Sequence, residues 1–270
     1  MVKANGHHAT PTVVKGSKSK SKSMGLSKSS TSSPSAALYF YSAPRQGVRH
    51  TSSCTPRIPR SEIGLHAFLS NYERKDLTVF GHRFASAEAA YQFAKFDAPA
   101  TRAFARLFHY GEEEGGDGCA QPPRLKTPHM ANVAGQAGPG FRQKGSPSAE
   151  VREVIRLVRQ ASAPAEEGGG GVRMRPELES EGAKLGAMLA VLRAKFADEG
   201  LRKRLLATGS RPLVEHTSRD RFWGDGGPAW GEEATGQNWL GRCLMQVRGE
   251  LRGAAEGGGA REELERPWAR

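Results

Sequence analysis

No aspartate or glutamate occurs in the first 61 residues of this 270-residue chain, although Lys3, Lys15, Lys18, Lys20, Lys22, Lys28, Arg45, Arg49, Arg57 and Arg60 all lie there. Ten of the formal +12 charges are therefore confined to one end, and the rest of the chain is close to neutral. The pI of about 9.9 thus implies no basic nucleic-acid surface on a folded domain, only salt-sensitive attraction of the tail to polyanions. Cysteine is scarce: Cys54, Cys119 and Cys243 are odd in number and far apart, which excludes a disulfide framework and any paired metal-ligand spacing. That favours a reducing, intracellular setting, cytoplasmic or nuclear. No apolar run approaches the ~20 residues needed to span a bilayer, and no secretory hydrophobic segment is present, so no membrane partner is expected. An organelle transit peptide is a second reading of the acid-free, serine-rich start, but lysine dominates over arginine and no long amphipathic stripe is visible. His82 and His216 are isolated, the Gly-x-Ser-x-Gly nucleophile elbow is missing, and no metal or cofactor is expected.

The uneven composition sets the organisation. Residues 1–35, with Gly16-Ser-Lys-Ser-Lys-Ser-Lys-Ser23 and the serines to Ser35, are too polar to bury and too like-charged to collapse, and read as a disordered basic tail. A single domain is expected over 36–252, with insertions near 46–60, 112–128 and 144–172, the last two glycine-rich. Residues 253–270 read as a flexible C-terminal tail. Strands are expected at Ala37–Tyr41, at Leu77–Phe80 where Gly81 breaks the run, and within Arg211–His216. Helices dominate the remainder. Ser86 is a natural N-cap for a helix over 87–97, and stripes run through Val151, Val154, Ile155 and Val158 and through Leu185, Met188, Leu189, Leu192 and Phe196. Asn238 reads as the N-cap of a last helix carrying Leu240, Leu244, Val247 and Leu251. The fold class is α+β: a helix-rich single domain with a small sheet.

Two segments carry the polar chemistry. On the helix after Ser86, Glu88, Tyr91, Gln92 and Lys95 share one arc of about 100°. Such a face is either solvated, with Glu88 complementing the helix dipole, or the floor of a site for a polyhydroxyl or phosphate-bearing ligand. The second segment, Asp220-Arg-Phe-Trp-Gly-Asp-Gly226, has glycines that let backbone approach a ligand and a flat stacking surface in Trp223 between Asp220 and Asp225. Its bland reading is an Asx-turn with an exposed aromatic. Asn71, in Leu69-Ser-Asn71, is a turn residue or a ligand contact.

Read in order, Leu69-Ser-Asn71, Glu88-Ala-Ala-Tyr-Gln-Phe-Ala-Lys-Phe96, Ala194-Lys-Phe196, Leu205-Leu-Ala-Thr-Gly209, Leu213-Val-Glu215, Asp220 to Gly226 and Gly236-Gln-Asn-Trp-Leu-Gly241 resemble the NADAR (YbiA-like) family of N-glycosidases. The resemblance implies a YbiA-like fold and hydrolysis of an N-glycosidic bond in a nucleotide-like substrate: ADP-ribosyl-guanine, including ADP-ribosylated guanine within nucleic acid, or a riboflavin-pathway ribosylamino-pyrimidine phosphate. It implies Glu88 and Asp225 as catalytic carboxylates, and Asn71, Gln92, Lys95, Asp220, Trp223, Gly224, Gly226 and Asn238 as substrate contacts. Helix face and loop are then expected to converge on one cavity. Ala89 departs from the family's usual His and Leu178 from its usual Trp, which keeps open a second class, a non-catalytic ADP-ribose or nucleotide-binding module. A nucleic-acid adaptor would rest on residues 1–61 alone. Deleting residues 1–35 is expected to leave the cooperative thermal transition intact and to weaken salt-sensitive retention on heparin; losing the transition would move the domain boundary.

Overall fold

The computed structural model describes residues 37–40, 65–98, 101–111, 121–136, 146–162, 172–217, 220–226 and 235–256. The basic tail, the 46–60 segment, and most of the glycine-rich parts of the other two insertions lie outside these residues, as does everything after 256.

Among the described residues four strands form two separate two-stranded ladders rather than one small sheet. β1 (Leu38–Phe40) runs parallel to β4 (Leu213–Glu215) with Leu38 opposite Leu213 and Phe40 opposite Glu215. Both strands alternate buried and half-buried residues, so each buries one face against the helices. β2 (Arg74–Val79) and β3 (His82–Ser86) pair antiparallel. Gly81 does not end the structure as its sequence position implies. It closes a hairpin: Phe80 and Gly81 both take positive φ, 55° and 77°, the backbone a tight primed turn requires, and the chain re-enters the ladder at His82. β3 was not expected because His82 and Arg83 obscure its period.

β3 feeds directly into α1 (Ala87–Ala94), capped by Ser86, whose hydroxyl accepts from the Ala89 amide at 3.1 Å. The helix is buried on every side; of the polar arc only Lys95, at the C-cap, is half-buried. After α2 (Arg102–Ala105), α3 (Pro128–Ala134) starts at a Thr127 cap with proline in its first turn. Leu125 within the expected 112–128 insertion is buried and donates its amide to Leu107, so this part belongs to the packed fold. α4 (Ala149–Ala161) buries Val151, Val154, Leu157 and Val158. α5 (Glu181–Lys195) buries Ala187, Met188, Val191, Leu192 and Lys195, a stripe rotated from the expected one, with Leu185 and Leu189 only half-buried. α6 (Glu199–Ala207) and α7 (Trp239–Glu256) complete the set, and α7 packs on α5, α6 and β4. Phe96, Phe104 and Phe108 meet edge-on at 4.8 and 5.3 Å in the core between α1, α2 and the chain that follows.

One capping expectation is overturned. Asn238 has φ of 52°, outside N-cap geometry, and its carboxamide turns away from α7: Oδ1 accepts from the Glu215 amide at 3.0 Å and Nδ2 donates to the Leu213 carbonyl at 2.9 Å. Side chains flank a cap, but this one completes the open edge of β4. The amides at the start of α7 are satisfied by loop carbonyls instead, Trp239 by Phe222 and Leu240 by Trp223. Asn238→Ala is expected to destabilise the protein by about 1–3 kcal/mol, because two buried backbone groups lose partners while the left-handed φ becomes strained. Asn238→Gly, which relieves only the strain, should recover part of the loss in a denaturant titration.

Candidate functional site

Glu88 lies in the first turn of α1 and is only 5% exposed. Its backbone amide donates to the Asn71 carbonyl at 3.0 Å, which ties the turn after Leu69 to the helix start. Its carboxylate is met by two amides at one oxygen: Gln92 Nε2 at 2.7 Å, one turn along the helix, and Asn132 Nδ2 at 2.9 Å, from α3. Among the described residues no side chain engages Oε2. Burial raises the Glu88 pKa above its ordinary value; the hydrogen bonds from Gln92 and Asn132, then Lys95, oppose that rise, and Asp220 adds to it. The polar arc is therefore not a solvated face. It is an internal one.

Asn132 escaped the sequence reading because no motif surrounds it, and only the packing of α3 on α1 brings it to Glu88. Its own Oδ1 accepts from Gln136 Nε2 at 2.9 Å, which aims the amide nitrogen at the carboxylate. Gly135 makes the same contact feasible from below: a Cβ there would stand 2.4 Å from the Gln92 amide carbon. Gln92 Oε1 and Asn71 Oδ1 are buried and have no hydrogen-bond partner among the described residues, while Asn71 Nδ2 points at Met188 Sδ, 3.4 Å away.

Lys95 caps the C-terminal end of α1, with its ammonium 5.1 Å from the centre of the Tyr91 ring. Desolvation lowers its pKa; Glu88 and Asp220 pull it up, and Lys184 pushes it down. Lys184, on α5, is a second cation the motifs did not mark, and it sits 5.6 Å from the Phe222 ring centre. Tyr91 is buried, and burial followed by the charges of Glu88 and Asp220 pushes its hydroxyl up. The Tyr91 ring meets Trp223 edge-on at 5.2 Å, and Trp223 meets Phe222 edge-on at 4.8 Å. Helix face and loop thus converge through a row of aromatic rings, although over a hundred residues separate them.

The loop is held from within. Asp220 Oδ1 accepts from the Phe222 and Trp223 amides, both at 2.9 Å, so the Asx-turn reading is correct, yet the same carboxylate still acts on Glu88, Tyr91 and Lys95. Asp225 is placed differently. Its Oδ2 lies 2.8 Å from His216 Nδ1 and its Oδ1 accepts from the Thr217 amide at 3.2 Å. The charges acting on Glu88 are Lys95 and Asp220, with Asp225 not among them. Gly224 is buried where a Cβ would meet the Glu215 carbonyl at 2.9 Å, and Gly226 takes φ of 64°. These two glycines fit backbone against backbone. Asn238 spends its side chain on β4, as described above.

A cavity of about 250 Å³ abuts the start of α1, but its walls include Ala85, Ser86, Ala89, Tyr110, Leu125 and Thr127 rather than Glu88, Lys95, Trp223 or Asp225. The two segments meet by direct contact, Tyr91 against Trp223. Among the described residues no cluster of three or more His, Cys, Asp or Glu is arranged for a metal.

Against this geometry stand the known proteins. The sequence model of the NADAR domain matches residues 143–252. N-glycosidase YbiA of Escherichia coli K12 is 41% identical over 104 residues, 38% of this chain and 61% of that protein. The chloroplastic riboflavin biosynthesis protein PYRR of Arabidopsis thaliana is 38% identical over 105 residues, 37% of this chain and 17% of that one. The chain thus spans about three-fifths of its bacterial N-glycosidase relatives. An NMR structure of E. coli YbiA is similar with a TM-score of 0.48 at 22% identity, covering 85% of this chain and 93% of the other.

Gly135→Ala is expected to displace the Gln92 amide and unseat one of the two donors to Glu88, raising the pKa of the carboxylate further. Carbon-13 titration of the Glu88 carboxyl in that variant checks the direction; an unmoved titration would show that the Gln92 contact does not tune the acid.

Proposed function

We propose, taking as premise that this is a NADAR-domain, YbiA-like chain, that it hydrolyses the N-glycosidic bond of a nucleotide-like substrate. The observation that carries the reading is Glu88: a carboxylate desolvated in the protein, fixed through one oxygen by two amides, and acted on by the charges of Lys95 and Asp220. Breaking the bond from anomeric carbon to base nitrogen sends the electron pair to the base, which takes up a proton, and leaves positive charge on the sugar. A preoriented carboxylate in a water-poor setting stabilises that charge without reorganising; a water oxygen then bonds to the anomeric carbon and releases a proton, which balances the one taken up by the base. Glu88 takes this role. Lys95 and Lys184 face the anionic part of the substrate, and Trp223 offers a ring to the base.

Asp225 is the second carboxylate of the resemblance. Its two oxygens are engaged by His216 and Thr217, so its first task is to hold the end of the glycine loop against β4. Asp220, which acts on Glu88 and Lys95, is the acid better placed to serve as partner. The substrate is ADP-ribosyl-guanine, free or within nucleic acid, or a ribosylamino-pyrimidine phosphate. Binding without turnover is the competing reading. Ala89 favours it, since a buried methyl group stands where the family commonly carries an imidazole.

Incubating the full chain with each substrate, with released base and sugar phosphate detected by mass, tests the proposal; binding with no release would establish the non-catalytic module. Glu88→Gln is expected to remove turnover while affinity stays within about tenfold, because Gln preserves the acceptor for Gln92 and Asn132 but carries no charge. The acid limb of the wild-type rate profile should lie above the usual glutamate range, since the active form is the ionised one and burial raises its pKa. Trp223→Ala should chiefly weaken binding, by about 1–3 kcal/mol.

A further inference from the structure

Two of the sequence blocks singled out above have no part in the chemistry so far: Leu69-Ser-Asn71 and Ala194-Lys-Phe196. In the structure they meet. Lys195, the last residue of α5, is 1% exposed, and its Nζ donates to the Ser70 carbonyl at 2.7 Å across 125 residues of sequence. No carboxylate lies within ion-pair distance of it among the described residues. An ammonium buried without a counter-charge is a poor way to stabilise a fold, and an apolar chain of the same length would serve the core better.

The next residue explains its position. Asn71 accepts the Glu88 amide through its backbone carbonyl and rests its side-chain nitrogen on Met188 Sδ. Met188 and Lys195 are seven residues apart on α5 and so occupy the same face two turns apart. One helix face therefore grips two consecutive residues of the turn, and the second of these fixes the amide of the residue that carries the catalytic carboxylate. We infer that Lys195 is a positioning residue: through Ser70 and Asn71 it holds the first turn of α1, and with it Glu88, against α5. The inference rests on the function proposed above for Glu88, but its mechanical core does not.

Desolvation pushes the Lys195 ammonium down to about 7, with Glu73 opposing and Arg204 assisting. Arg204 also packs over the Phe68 ring at 4.1 Å and donates to the Leu65 carbonyl, so Glu73 from the turn and Arg204 from α6 are the charged groups that face Lys195. Because the folded-state pKa is depressed, the destabilisation by Lys195 is present in full below pH 7 and fades as the pH climbs toward the unfolded value near 10.5.

The test uses the full chain with Lys195→Met, which keeps length and removes the charge, and Lys195→Gln, which keeps a neutral donor. Lys195→Met should melt no lower than wild type, with its advantage largest below pH 7 and vanishing toward pH 10. Its Glu88 amide should nevertheless exchange hydrogen at least tenfold faster, and kcat should fall at least tenfold with KM within threefold. Lys195→Gln should restore part of both losses. An unchanged Glu88 exchange rate in Lys195→Met overturns the inference, as would two variants that both fail to fold, which would make Lys195 a core requirement and not a positioning residue. Faster exchange in a protein whose wild type cleaves no glycoside removes the proposed function and leaves the Lys195–Ser70–Asn71–Glu88 link standing.

Discussion

A carboxylate placed where water cannot reach it costs several kcal/mol unless the protein supplies its own donors, and Glu88 imposes that demand on everything near it. Gln92 answers from the same helix. Asn132 answers from α3, so α3 has to dock on α1 in one register and keep Gly135 against the Gln92 amide. The backbone end of the same residue is held by Asn71, and the helix start by Ser86. Few residues in the chain have so many independent constraints. The result is a charge whose orientation is settled before any ligand arrives, which is the condition for electrostatic stabilisation of a cationic sugar to count.

The glycine loop is built on a different principle. Its stiffness comes from backbone: Asp220 gathers the Phe222 and Trp223 amides, carbonyls 222–224 accept from residues 238–240 as α7 begins, and Asp225 closes the turn on His216 and Thr217. Asn238 then binds the strand edge rather than the helix it precedes. Because the loop is tied simultaneously to α7 and to β4, its rings are presented to Tyr91 by elements that belong to the core. Lys195 adds a third fixed point through the Ser70 carbonyl. It is the kind of local conflict, a buried cation in an otherwise apolar stripe, that folded chains keep where position matters more than stability.

Much of this was legible in order of residues. Ser86 is followed by Glu88 in the first turn and by a helical period, so cap, helix and polar arc follow from local rules that need no partner. Strands β1 and β4 announce themselves by apolar, β-branched and aromatic residues between turn signals. β3 did not, because His82 and Arg83 mask its alternation, and the Phe80-Gly81 turn looked like a stop. Asn132, Lys184 and Lys195 were invisible for a common reason: an amide or a lysine on a helix reads as solvated until another element covers it. Asn238 misled in the opposite sense, since its type and position fit a cap and only the neighbouring strand edge offered its side chain stronger partners.

The sequence by itself determined the helix-rich α+β composition, the near-neutral charge of the folded part and the residue types available to the site, because each follows from composition or from spacing along one element. Tertiary structure alone decided which of those residues meet. It brought the charge of Asp220 to bear on Glu88 and turned Asp225 toward His216, buried most of an arc that could equally have faced water, and put the ammonium of Lys195 on the Ser70 carbonyl. The physical reason is that desolvation, unlike helical periodicity, is a property of what packs on top of a residue, and much of what packs on α1 is distant in the chain, as Asn132 and Trp223 are.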